Sequence, residues 1–404
     1  MTIFAVLAVL LLIEVALIFC VRLQRSVFPW LITERDEKPL LSPEAVRNFI
    51  DKSHDAELGW VRRPGSRGIE RGQYGTVEYH IDGYGARVLA GNPPPRVAAF
   101  GDSYVFCRQV EDNETWEAQW SNARGIGVLN FGVGNYGADQ ALIRYERTSL
   151  PSTVTHVILG FVPETICRIQ SSWKHYLEFG NILAFKPRFR LDEAGRLQRI
   201  ENVMRTADDF AKLDKYLPEL RQTDGFYRRK FRSVQFRLPY TLSFLRHPLR
   251  NAMLMSAVAA RAFARTIGTA HPWIEGLPFS IVMRQNIRDA HAMYRDADAT
   301  ALLEAILRRF VDEARRRGHR PLVVVMPQLL DLRMGGRKPV YSPVFEEIAR
   351  TLPLLDLTSE LQATNFEACY VNDQYGGHFS ARGNQLVAEV LSRRLAADLD
   401  TIQD

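Results

Sequence analysis

Residues 96–104 read Arg-Val-Ala-Ala-Phe-Gly-Asp-Ser-Tyr, and they decide how the chain is interpreted. Residues 97–100 are a short apolar run with no polar alternation, which stops at Gly101-Asp102-Ser103. Such a run suits a strand covered on both faces, as in a parallel sheet. Similar runs follow at 128–131, 156–161 and 322–326, and residues 354–357 offer a fifth. Between them lie amphipathic helical patterns. The clearest covers 299–317, with Leu303, Ile306, Leu307, Phe310 and Ala314 on one face and Gly318 as a C-terminal stop. Another follows Ser380 and carries Leu386, Val387, Val390, Leu391 and Leu395. Strands alternating with helices predict an α/β domain whose parallel sheet is sandwiched between helical layers.

Composition agrees with a folded chain. Of 404 residues, 46% are apolar and 24% charged, which excludes disordered, collagen-like and coiled-coil chains. The 4 cysteines (Cys20, Cys107, Cys167 and Cys369) form no Cys-x-x-Cys pair, so neither a disulfide framework nor a cysteine-based zinc site is expected. Cys107 reads as a small buried residue. The histidines other than His378 have no metal-ligand spacing.

Residues 3–21 are apolar except for Glu14, and at 1.5 Å per residue they just cross a hydrocarbon layer of about 30 Å. No basic stretch precedes them and no A-x-A site follows. Leu17, Ile18 and Phe19 are too bulky for a lipoprotein signal ahead of Cys20. The segment therefore reads as a retained single-pass span. Arg22 and Arg25 follow it, and taken alone they would place the body in the cytoplasm.

The organisation predicted is an anchor (1–22), a juxtamembrane segment with a small β-extension (23–95), an α/β domain (96–168 plus 297–404), and an inserted α-rich subdomain (169–296). Within the insertion, a hairpin is expected from Phe185. Residues 226–250 carry seven basic residues and no acidic one, which leaves the rest of the chain near neutral against a total of +6. Six aromatics interleave with these charges. An anionic membrane surface or an acidic polysaccharide would suit them. No nucleic-acid motif accompanies the patch, so nucleic acid is not expected as a partner.

A serine at the carboxyl end of the first strand sits where open α/β sheets place ligands. Near the other end of the chain stands Asp373-Gln-Tyr-Gly-Gly-His378, just before the last helix. Ser103, His378 and Asp373 would supply nucleophile, base and orienting carboxylate.

These motifs resemble the SGNH/GDSL hydrolases, in particular membrane-anchored bacterial members. The resemblance implies a flavodoxin-like three-layer αβα fold, a Ser103 nucleophile, a His378 base, and no metal or organic cofactor. Asn130-Phe-Gly132-Val-Gly134-Asn135-Tyr-Gly137 is similar to the second family block. It implies an oxyanion hole from the N–H groups of Ser103 and of Gly134 or Asn135. Two departures stand out. The family's acid lies three residues before the histidine, where this chain has Tyr375, and Asp373 is five before. The family's third-block asparagine is missing from Gly160-Phe-Val-Pro163-Glu164-Thr165, leaving Thr165 and Arg168 as replacement donors. Gly59-Trp60 and Asp82-Gly-Tyr-Gly85-Ala-Arg87 resemble the amino-terminal extension of the anchored members.

The function expected is that of a membrane-anchored serine esterase acting on an acyl group, such as acetyl, of a cell-envelope glycan or small substrate. The alternatives are an O-acyltransferase and a non-catalytic glycan- or partner-binding member. An envelope substrate places the body on the extracytoplasmic, periplasmic side, against the vote of the two arginines.

Overall fold

The computed structural model describes residues 2–91, 93–269, 271–371 and 377–400. The chain divides into two compact units. One comprises Met1–Asn48, Ser171–Phe185 and Thr206–Asn286, and the other Phe49–Gln170, Lys186–Arg205 and Ile287–Asp404.

The larger unit is built on five parallel strands: β1 (Pro95–Gly101), β2 (Gly127–Gly132), β3 (His156–Phe161), β4 (Arg320–Val325) and β5 (Leu354–Asp356). Their order across the sheet is β5-β4-β3-β1-β2. This is the flavodoxin-like order, with its switch point where β1 lies between β2 and β3. Ser103 follows β1 at that point. The strand begins at Pro95, inside the proline run that the sequence suggests is a linker. A proline can open a strand because its missing N–H is not yet needed by the ladder.

The helices used below are, in chain order, α1 (Thr2–Val27), α2 (Trp116–Arg124), α3 (Ala138–Arg147), α4 (Tyr240–Arg246), α5 (Pro248–Thr266), α6 (Ala297–Arg316) and α7 (Ala381–Asp400). Alternate strand residues feed opposite faces of the sheet. Val97, Ala99, Val128, Ile158, Leu322 and Val324 pack with Trp116 and Trp120 of α2 and Val387, Leu391 and Leu395 of α7. On the other face Phe100 stacks on Phe131 at 4.9 Å and meets Tyr145 of α3, which in turn meets Phe310 of α6. Each large side chain buried in this way stabilises the fold by about 1.5–3 kcal/mol. Thr115 caps α2 by accepting the Ala118 N–H, and Asp296 caps α6 through the Ala299 N–H. Helix α6 ends at Gly318, whose φ of 80° allows the chain to turn back. Two hairpins accompany the sheet. Arg67–Arg71 pairs with Thr76–His80, and Arg188–Leu191 with Leu197–Ile200.

Gly132 ends β2 against the loop that follows Ser103. A Cβ there would lie 2.1 Å from the Phe106 backbone nitrogen. Gly132→Ala is therefore expected to push that loop away and destabilise the protein by about 1–3 kcal/mol. A thermal-shift assay would read this as a lower midpoint, and an unchanged midpoint would show that the close approach is not needed.

In the smaller unit, Val21, Phe28, Leu31, Phe236, Tyr240, Leu254 and Val258 form one apolar cluster, so α1, α4 and α5 share a core. Helix α1 is long and apolar enough to cross a membrane, and the outward residues Ile3–Ile13 are largely exposed. Its one acidic residue within the apolar run is fully used. Glu14 accepts the N–H groups of Tyr240 (2.5 Å) and Thr241 (2.8 Å) and the Thr241 hydroxyl (2.7 Å). The aromatics of the basic stretch are interior: Phe226, Tyr227, Phe231, Phe236 and Tyr240 are all buried. These five are core residues, and the sixth, Phe244, is partly buried against the same cluster.

Candidate active site

Strand β1 ends at Gly101, and Asp102 then organises the turn that carries Ser103. Asp102 is buried. Its carboxylate accepts the N–H of Tyr104 (2.8 Å), the N–H of Val162 beyond β3 (3.0 Å), and Arg168 (3.4 Å). Burial pushes the Asp102 pKa up, while Arg168 and the two N–H groups oppose the rise. Two strand ends are thus tied together by one side chain.

The Ser103 Oγ lies 2.8 Å from His378 Nε2. These residues come from opposite ends of the domain, 275 positions apart. The ring of His378 packs on Tyr104 with centroids 4.9 Å apart. Asp373 lies outside the described residues.

The group that faces the other ring nitrogen is Gln109. Its Oε1 is 3.0 Å from His378 Nδ1 and 2.9 Å from the His378 backbone nitrogen, and its Nε2 donates to the Arg71 carbonyl at 3.1 Å. These contacts fix the protonation pattern. A backbone N–H can only donate and a backbone carbonyl can only accept. The amide is therefore oriented with its oxygen toward His378, and Nδ1 must carry the hydrogen. Nε2 is left with its lone pair on the Ser103 hydroxyl, as a general base requires.

Gln109 reaches this position at a cost in backbone strain. Its φ is 74°, and that of nearby Cys107 is 56°, both rare for residues with a Cβ. The loop is held by Arg87, a buried guanidinium that donates to the carbonyls of Phe106 (2.8 Å), Cys107 (2.7 Å) and Val110 (2.6 Å) and to Asp112 (2.6 Å). Asn130 adds a bond to the Val105 carbonyl at 2.7 Å. Arg108, in the same loop, pairs with Glu70 of the first hairpin at 2.7 Å. Neither Gln109 nor Arg87 belongs to a motif that sequence reasoning could assign a role. Arg87 sits in the Gly-Tyr-Gly-Ala-Arg run, where the spacing gives no hint of its target.

Gly134 and Asn135 form a turn just past β2. Asn135 has a φ of 69°. Trp60 Nε1 donates to the Gly134 carbonyl at 3.0 Å, and the Tyr136 hydroxyl donates to the Trp60 carbonyl at 2.5 Å. Because the peptide is planar, anchoring the Gly134 carbonyl also sets the direction of the Asn135 N–H. Among the described residues, no group accepts the N–H of Ser103, Gly134 or Asn135.

The two replacement donors hold structural bonds. Thr165 Oγ1 accepts the Ala138 N–H at 2.9 Å and so caps α3. Arg168 binds Glu164 (2.8 Å), Asp102 (3.4 Å) and the Tyr136 carbonyl (3.2 Å). Cys107 is buried, and its thiol donates to Glu117 at 3.2 Å. Burial pushes the Glu117 carboxyl up to about 8.

Burial, then the cationic Arg108 and Arg168, pull the His378 pKa down to about 3. The neutral ring is the form that acts as a base, so a lowered pKa extends activity toward acid. The acid limb of kcat/KM is expected well below the usual histidine value of about 6.5. A carboxylate at Nδ1 would stabilise the imidazolium and move the limb the other way, so a pH–rate profile separates the two cases. Stability follows the same sign. Between these two pH values the unfolded chain binds a proton that the folded one does not, so the fold weakens as pH falls through that window.

No family model matches the chain, and no curated protein matches it. Among solved structures, a chain from Desulfitobacterium hafniense DCB-2, described as a lipolytic protein of the G-D-S-L family, is similar over 74% of this chain and 98% of its own. The identity is 12% and the TM-score 0.30, a likeness that defines neither activity nor site.

Proposed function

We propose that the chain is a serine esterase. The observation that carries this reading is the 2.8 Å contact between Ser103 Oγ and His378 Nε2, with Gln109 setting the tautomer. Ser103 Oγ attacks the ester carbonyl carbon as its proton passes to His378 Nε2. The tetrahedral oxyanion is held by the N–H groups of Ser103 and of Gly134 or Asn135. Collapse breaks the bond to the alcohol, which leaves with the proton from His378. Water then attacks the acyl-enzyme, again losing its proton to His378, and the acid departs as Ser103 is restored. Gln109 is the positioning residue, and Asp373 is the carboxylate against which it is to be tested.

The substrate class we propose is an acyl ester, such as an acetyl ester, on a cell-envelope glycan or a small molecule. Helix α1 is proposed as a single-pass anchor, with the body on the periplasmic side. The length and apolar character of α1, with Ile3–Ile13 largely exposed, support the anchor. A fluorophosphonate probe tests the nucleophile. It is expected to label the full-length protein on the peptide containing Ser103. Absence of label at Ser103 would overturn the esterase reading.

A further inference from the structure

The smaller unit contains a cavity of about 390 Å³ whose wall includes Arg232, Arg237 and Arg246. We propose that it binds the phosphate of an anionic phospholipid headgroup, with Leu238 and Leu242 lying against the adjoining acyl chains. This rests on the reading of α1 as a membrane span and is independent of the esterase chemistry.

The charge balance at the cavity comes first. Two carboxylates share the wall, and both are engaged. Glu37 pairs with Arg232 and with Arg221 (3.2 Å), and Glu34 accepts the Leu238 N–H at 2.8 Å. Among the described residues, Arg237 and Arg246 form no ion pair. Burial, then the neighbouring charges of Arg232 and Arg246, draw the Arg237 pKa down. Three guanidiniums share the wall with two carboxylates, which leaves one positive charge over, and a phosphate would satisfy it through paired N–H···O bonds.

Position comes next. The cavity wall also includes Pro239, Leu242 and Ser243, and the intervening Tyr240 and Thr241 donate to Glu14 of α1. Glu14 lies seven residues before Val21 at the end of the apolar run, which is about 10 Å along the helix. Residues 3–21 already fill the hydrocarbon core, so Tyr240 and Thr241 meet α1 about 10 Å inside it, whereas the Glu34 and Glu37 side of the wall flanks Asp36, which pairs with Arg25 about 6 Å beyond Val21, at headgroup level.

The surroundings are apolar where a soluble site would be polar. Leu238 is 64% exposed, Leu242 57% and Leu245 60%. Along α5 the exposed stripe continues through Leu249, Met253, Phe263 and Ile267, which recur at helical spacing. Arginines beside such a stripe are the pattern of a helix lying in the membrane interface. The buried aromatics argue against a glycan, since few rings are left to stack on sugars.

The test uses the full chain in nonionic detergent, titrated with dioctanoyl-phosphatidylglycerol, dioctanoyl-phosphatidylcholine or inorganic phosphate, and read by native mass spectrometry. The phosphatidylglycerol is expected to saturate one site. Phosphatidylcholine should not, and phosphate alone should bind at least about tenfold more weakly because the acyl contacts are missing. Arg237→Ala with Arg246→Ala should weaken phosphatidylglycerol binding by about tenfold or more. Leu238→Asn with Leu242→Asn should weaken the lipid but leave phosphate unchanged. If the arginine pair loses its thermal midpoint, the single Arg246→Gln change at an exposed position gives the same reading at smaller size. Equal affinity in a folded arginine variant would overturn the site. So would equal binding of the two lipids, or phosphate binding as tightly as lipid. Carbonate extraction of membranes tests the span separately, so its failure and the failure of the site are distinguishable.

Discussion

Ser103→Ala is expected to lower turnover of p-nitrophenyl acetate by about 10⁴- to 10⁶-fold. The substitution removes one oxygen, whose recorded partner is His378 Nε2 at 2.8 Å. Among the described residues that oxygen has no other hydrogen-bond partner, so the thermal midpoint should stay where it is. His378 would keep its tautomer and its bond to Gln109, yet no nucleophile would remain to form the acyl-enzyme. The backbone N–H groups of Gly134 and Asn135 would survive, which is why some rate above water is expected to persist. Turnover in the variant within tenfold of the parent would place the chemistry elsewhere.

Gln109→Leu is expected to cost about 10²- to 10⁴-fold in kcat with little change in KM, because it frees the imidazole to adopt the wrong tautomer. This side chain accepts from the His378 backbone N–H and from His378 Nδ1 and donates to the Arg71 carbonyl. Gln109→Glu keeps an acceptor at Nδ1 and should restore most of the rate. It should also raise the His378 pKa, moving the acid limb of the pH–rate profile upward. A role confined to stability would produce neither the rescue nor the shift. Asp373→Asn is the matching control, and little loss is expected there. Full activity in Gln109→Leu with a collapse in Asp373→Asn would transfer the orienting role to the aspartate.

The strands were legible because their signal is local. Residues 97–100 and 157–161 are continuous apolar runs, and β1 and β3 bury both faces over those lengths. Ser103 and His378 were readable only as a pair, a Gly-Asp-Ser after the first strand with a histidine just ahead of the last helix, because a lone Gly-Asp-Ser suits a turn or a helix cap equally well. Gln109 was not legible, for a physical reason. It arrives at the site through two left-handed backbone positions that no residue preference signals, at Cys107 and at itself. Arg87 was hidden in another way. Three of the four groups it binds are carbonyls, which every residue carries, so no side-chain pattern marks the loop it holds. What occupies the end of β3 is an ion pair, Glu164 with Arg168, tied to Asp102. Two charges of opposite sign there satisfy each other, and the neighbouring Gln328 amide donates to Glu164 at 3.4 Å.

The grip of Trp60 and Arg87 on the two loops bears on how such a site can be inherited. One residue anchors the turn at Gly134 and the other the loop that carries Gln109, and both lie ahead of the first strand of the sheet. A Ser-His pair copied onto another parallel sheet would bring the reactive atoms without the parts that aim them. Recombination that cut the chain at the start of β1 would separate the two. Residues 59–87 and the strand-end loops are therefore expected to pass from one protein to another as a single cassette, and a chimera that keeps the two together should keep activity where one joined at the start of β1 does not.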